Sequence, residues 1–277
     1  MTRGIVVRVS KLAVAVVMAV SASAIAAGAA SAGEVIYDNI PSPLPGNFAS
    51  IGNEAYSMSE IGGEVEFAGT ARNNLAVKVV MSSWACQRGG VSAETCESGL
   101  PKMKNYFKVP VTFRLYAVGA GNTVGAQLWE RTKSFKMEYR PSVSPKCTGG
   151  RWYDEETATC YHGKAFVISL TGMKVRHLPS KAIITVSYNT TDHGSHPIGE
   201  AACSKTSAGC PYDSLNVALG EPGEKTLSLG SDPTEELFVN STYSEMFCNG
   251  GTAGTFGPAS CPAFWEGDQP MFEVTAN

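Results

Sequence analysis

Eight cysteines offer the first chemistry in this chain: Cys86, Cys96, Cys147, Cys160, Cys203, Cys210, Cys248 and Cys261 fall in four close pairs separated by longer gaps. Zinc sites favour Cys-x2-4-Cys spacing, which none of these pairs has. An even number of cysteines in an exported chain argues instead for disulfides, because that compartment oxidises thiols. The expected bridges are 86–96, 147–160, 203–210 and 248–261. Each closes a short loop and stabilises by roughly 2 to 3 kcal/mol. The 147 and 248 loops open alike, as Cys-Thr-Gly-Gly and Cys-Asn-Gly-Gly, with glycines suited to positive φ.

Other reactive side chains are sparse. Residues 190–196 (TTDHGSH) put His193 and His196 beside Asp192 and Ser195. A metal there needs a further ligand from elsewhere, and a polar loop explains the composition as well. Residues 149–156 place Trp152 and Tyr153 next to Asp154, Glu155 and Glu156. An exposed aromatic pair of this kind stacks on sugar rings. The competing role is a plug that packs the Cys147 loop, as Trp84 and Trp265 fit near Cys86 and Cys261. Glu155-Glu156 and Glu235-Glu236 are adjacent in sequence, which suits solvated carboxylates better than an acid/base pair. Residues 119–125 (GAGNTVG) join two strand-like runs and do not open a helix, so they read as a hairpin turn and not a phosphate loop. Walker A, His-Glu-x-x-His, Gly-x-Ser-x-Gly and EF-hand patterns are absent, and no cofactor is expected.

The elements that must position these residues read as strands. Val109, Val111, Phe113, Leu115 and Ala117 alternate with Thr112, Arg114 and Tyr116; Phe135, Met137 and Tyr139 alternate with Ser134, Lys136 and Glu138. Similar runs cover 65–67, 75–81, 166–170, 182–188, 215–219, 237–239 and 271–275. Period-two alternation describes strands with one buried face. Glycine, asparagine and proline clusters separate the runs, and no amphipathic helix of three turns is present. The expectation is an all-β fold: an antiparallel, jelly-roll-like β-sandwich of about nine or ten strands, with a closed barrel as the alternative. Residues 40–47 (IPSPLPGN) are too proline-rich for a central strand and read as a surface arm.

The first 32 residues look like an export signal. Arg3, Arg8 and Lys11 precede an apolar stretch at 12–20, and Ala30-Ser31-Ala32 offers small residues at −3 and −1. Residues 1–32 are therefore expected to be a cleaved signal peptide and 33–277 a single secreted domain, released without a membrane span. The whole chain has 22 Lys+Arg and 25 Asp+Glu, and three of the cations lie in the signal, so the mature part carries −6. Such a mildly acidic body with scattered cations offers no electrostatic footprint for nucleic acid or anionic lipid. Asn189 and Asn240 lie in N-glycosylation sequons, which matter only in a host with that machinery.

Residues 35–47 (VIYDNIPSPLPGN), 67–71 (FAGTA), 81–84 (MSSW), 149–154 (GGRWYD), 187–191 (SYNTT) and 212–217 (YDSLNV) together resemble a group of secreted bacterial proteins of unknown function. The resemblance implies export and one disulfide-containing β-sandwich. It implies no catalytic residue. The function expected is a non-enzymatic extracellular protein that binds a surface or matrix component such as a glycan, with Trp152 and Tyr153 as candidate contacts. The alternative is a carbohydrate-active hydrolase whose carboxylates converge on a jelly-roll sheet. Intact-mass analysis of exported protein is expected to show Gly33 as the first residue; retention of Arg3 would contradict the signal assignment.

Overall fold

The computed structural model describes residues 33–52, 56, 58–89, 94–189, 215–220, 226–234, 236–242, 244–248, 255–259 and 267–277. The alternating runs are strands, and several strands lack such a run. In chain order the elements are β1 (Glu34–Asp38), β2 (Ser50–Gly52), β3 (Met58–Glu66), β4 (Leu75–Ser83), β5 (Tyr106–Val118), β6 (Val124–Glu138), β7 (Trp152–Asp154), β8 (Thr159–Tyr161), β9 (Lys164–Met173), β10 (Lys181–Ser187), β11 (Leu215–Gly220), β12 (Leu237–Ser241), α1 (Ser244–Phe247), β13 (Gly257–Pro258), β14 (Gln269–Pro270) and β15 (Phe272–Ala276). Among the described residues there are fifteen strands, against the nine or ten expected for the chain. The excess comes from strands too short to show a period, such as β2, β7, β8, β13 and β14.

β4 organises the first sheet. One of its edges pairs with β9 from Leu75↔Met173 to Ser83↔Lys164. Its other edge is shared end to end by β15 and β11, with β1 and β2 outside them. The second sheet runs β13-β12-β3-β10-β5-β6 and is antiparallel throughout. Neither sheet closes into a barrel. Alternate residues of both sheets meet in one apolar core, including Val77, Val79, Leu170 and Val274 from the first and Val109, Phe113, Ile184 and Val239 from the second. Burying each such side chain is worth about 1.5 to 3 kcal/mol.

The first sheet is covered on its outer face as well. Ile40 and Leu44 of the proline-rich arm pack onto Phe48, Val80, Ala165, Ala218 and Met271. Asn47 Oδ1 accepts from Ser82 Oγ at 2.6 Å, and Gly46 O accepts from the Ala165 backbone N–H at 2.9 Å. A Cβ on Gly46 would sit 2.7 Å from the Tyr161 ring, so the arm fits there only as glycine. Val79 and Val80 are consequently both buried, on opposite faces of β4.

Two disulfides are complete among the described residues, 86–96 and 147–160, with Cα separations of 5.4 and 5.9 Å. Cys248 is disulfide-bonded to a partner outside the described residues. Cys203, Cys210 and Cys261 lie outside them, so of the four expected bridges these two are the ones described. Gly149 and Gly150 have φ of +68° and +66°.

β6 and β9 are edge strands. An open edge invites pairing with another chain. On β6 the inward-facing positions beyond the core are Arg131 and Lys133, opposite Phe113 and Val111. Lys133 Nζ lies 5.0 Å from the Phe135 ring centroid, and Arg131 Nη1 reaches the Thr171 carbonyl of β9 at 3.5 Å. Inward charge is a recognised way to blunt an edge. It also hid the first half of β6 from the apolar alternation. The double variant R131V/K133V is expected to self-associate in light-scattering chromatography while the native chain stays at its own oligomeric state; unchanged mass would contradict this role.

Candidate functional site

An open groove of about 730 Å³ lies where the β5–β6 hairpin meets the Cys86–Cys96 loop. Ser98 and Gly99, just past the Cys86–Cys96 bridge, form one wall. Arg88 and Glu97 exchange backbone hydrogen bonds across that bridge, and the Val143 N–H donates to Cys96 O at 3.0 Å. Gln87, buried, holds the 98–105 loop: its Nε2 donates to Lys104 O, and its Oε1 accepts from the Leu100 N–H at 2.8 Å. Ser142 closes the corner, accepting from the Ser98 N–H at 2.9 Å and donating to Ser98 O at 3.1 Å. The floor and opposite wall are Tyr106, Lys136, Glu138, Tyr139, Arg140 and Lys164.

The hairpin register sets the charges. Lys108 stands directly opposite Lys136, and Tyr106 opposite Glu138. Like charges directly across a ladder are destabilising. Lys136 Nζ is held 4.7 Å from the Tyr106 ring centroid, and Glu138 is engaged by Lys164. Among the described residues neither Lys108 nor Lys136 has an ion-pair partner. The groove lining holds three cations, Lys136, Arg140 and Lys164, and one acid, Glu138, on a chain whose net charge is −3.

Arg140 adds a cation beneath the groove. It is 0% exposed. Its Nε donates to Pro141 O at 3.2 Å and its Nη2 to Gly150 O at 2.7 Å, while Nη1 has no hydrogen-bond partner. Burial without a carboxylate lowers its pKa to about 10. His162 senses the same field. It stacks on Trp84 at 5.5 Å with planes 10° apart, and its pKa is pushed down by burial first and then by Arg140 and Arg151. With Lys164 paired to Glu138, Lys136 and the buried Arg140 leave the groove lining positive.

The residues named from sequence sit elsewhere. Trp152 is 8% exposed. Its indole N–H donates to Gly163 O at 2.6 Å and its ring tilts against Tyr161 at 5.6 Å. Tyr153 is half-buried beneath the Lys146 ammonium, 4.4 Å from the ring centroid, and Lys146 also pairs with Glu155 at 2.6 Å. The short β7–β8 hairpin inside the Cys147–Cys160 loop holds both aromatics. Residues 190–196 lie outside the described residues. Asn240 is in β12, and Asn189 follows β10. Lys136 lies in an alternating run and Tyr106 in none, and opposition across a ladder needs the register, which no single run carries.

The carboxylates are mostly engaged. Glu60 and Glu130 both bind Arg114, at 3.2 and 2.6 Å, and Glu60 also accepts from Tyr116 and Thr185. Asp38 and Glu273 are cross-strand neighbours lining a second groove of about 520 Å³ beside the arm. Glu273 pairs with Lys78 at 2.8 Å, and Asp38 accepts from the Ile40 N–H and Ser228 Oγ. Among the described residues no three His, Cys, Asp or Glu side chains gather to hold a metal, and no helix is long and apolar enough to cross a membrane.

With this geometry in place, no protein-family model, curated protein or solved structure was found to match the chain.

Glu64 is an exception among the carboxylates. It is buried with neither oxygen hydrogen-bonded, and Lys181 Nζ stands 3.9 Å away. Burial raises its pKa, Lys181 opposes this, and Glu236 and Glu66 add to it. A raised carboxylate pKa favours the fold below the unfolded value near 4.5, and that contribution is lost as pH climbs through the folded value. Glu64→Gln is therefore expected to leave stability unchanged at pH 4 and to raise Tm at pH 7 by on the order of 2 °C. Thermal melts at both pH values check it, and a lower Tm at pH 7 would contradict it.

Proposed function

We propose that this chain is an exported, non-enzymatic binding protein whose groove beside the β5–β6 hairpin takes a glycan of the cell surface or surrounding matrix. The observation that carries the reading is the groove itself. It sets Tyr106 and Tyr139 beside Ser98, Asn105 and Ser142, aromatic and hydroxyl- or amide-bearing groups suited to sugar rings and their hydroxyls. Export, a jelly-roll-like sandwich and kinship with secreted bacterial proteins belong to the same proposal. Two facing sheets with a shared core and local disulfides support it. Because Trp152 is buried, the sugar contact moves from Trp152 and Tyr153 to Tyr106.

A second reading, a carbohydrate-active hydrolase, draws on Asp38 and Glu273 in the second groove. Their engagement by Lys78, Ser228 and the chain's own backbone fits a fastening role better than an acid/base pair. A panel of immobilised polysaccharides separates the two. Binding without release of reducing ends is expected, with at least a tenfold loss of affinity for Tyr106→Ala at unchanged Tm. Reducing-end release would favour the hydrolase, and undiminished binding by the variant would move the site elsewhere.

A further inference from the structure

The geometry points to an acidic polysaccharide as the ligand of this groove, its carboxylate or sulfate groups meeting Lys136 in the groove lining and Lys108 directly across the ladder, next to that lining; this rests on the glycan-binding reading above. Three observations converge on it. First, the two lysines are direct cross-strand partners without a carboxylate between them. The nearest acid on the same face, Glu138, is taken by Lys164. An anion of the ligand supplies the charge that the ladder lacks. Second, Lys136 is positioned before any ligand arrives, because its ammonium rests over the Tyr106 ring at the groove wall. Cation–π contact limits the side-chain freedom that binding would otherwise remove. Third, the buried Arg140 has no acid partner and keeps Nη1 unbonded, so the groove floor stays positive.

The spacing of charge favours a sparsely charged sugar polymer over a nucleic acid. Beyond Lys108 and Lys136 the outward face of the hairpin is neutral: Pro110 stands opposite Ser134 and Thr112 opposite Thr132, the two threonine hydroxyls 2.7 Å apart. The next cation, Arg114, is already neutralised by Glu60 and Glu130. A duplex presents a charge about every 1.7 Å of its axis and is met by many phosphate contacts. Beyond the groove lining this face runs about 13 Å without charge, two inter-residue repeats from Lys108 to Thr112. Hydroxyls beside an isolated charge suit a polymer that is itself hydroxyl-rich and only intermittently anionic.

The test uses the mature chain and five probes: a uronate polymer, a sulfated dextran, neutral dextran, duplex DNA and phosphatidylglycerol vesicles. The native protein is expected to bind an acidic polysaccharide in preference to neutral dextran, DNA and vesicles, and comparison of uronate with sulfate tells which anion it takes. Lys108→Glu is the informative variant. It places an acid opposite Lys136, so it should lose affinity at least tenfold while melting at a higher temperature than the native protein. Unchanged affinity, or a lower Tm, would overturn the inference. Equal binding to DNA or vesicles would overturn the ligand class. Neutral dextran bound as well as uronate, and lost only with Tyr106→Ala, would remove this inference and leave the glycan reading standing. No binding to any polysaccharide would remove both.

Discussion

The register of the β5–β6 hairpin is the constraint from which the functional end follows. Phe107 against Met137 and Val109 against Phe135 are core pairs, and a slip of one residue would turn them all to solvent. Burial of four such side chains outweighs any repulsion between two exposed lysines, which is worth only about 0.2 to 1 kcal/mol. The core therefore dictates that Lys108 faces Lys136. The turn cooperates: Gly121 and Asn122 adopt positive φ, and the Gly119 N–H donates to Thr123 O at 2.7 Å. The glycine-rich segment is thus the hairpin turn that holds the register, with no phosphate to cradle.

The same hairpin explains what was legible beforehand. Runs with an apolar period, such as 109–117 and 166–170, became β5 and β9 because one face of each is buried. The first half of β6 was not legible, because an edge strand carries Arg131 and Lys133 where a central strand would carry valine. β1 and the very short strands escaped for a different reason: three or fewer buried positions do not make a period. Residues 40–47 were readable as an arm from their prolines. That the arm covers the outer face of β4 depends on Val80 being buried opposite Val79, a contact between distant segments.

The candidate site was less legible than the fold. Cysteine spacing anticipated the 86–96 and 147–160 loops, and the chain just past the former, at Ser98 and Gly99, lines the groove. The conspicuous aromatics, Trp152 and Tyr153, are held inside the Cys147 loop. Tyr106 and the lysines attracted no notice in sequence because a lysine on the polar face of a strand is ordinary. What singles them out is opposition across the ladder, the aromatic ring under Lys136, and Arg140 buried with no acid. All three are properties of the folded chain.

The native register sets Lys108 directly opposite Lys136, two like charges across one ladder. A double-mutant cycle on unfolding free energy with Lys108→Ala, Lys136→Ala and the combined variant measures their repulsion directly. An unfavourable coupling of roughly 0.2 to 1 kcal/mol is expected at low ionic strength, shrinking as salt is added. A coupling of zero, or an attractive one, would contradict it.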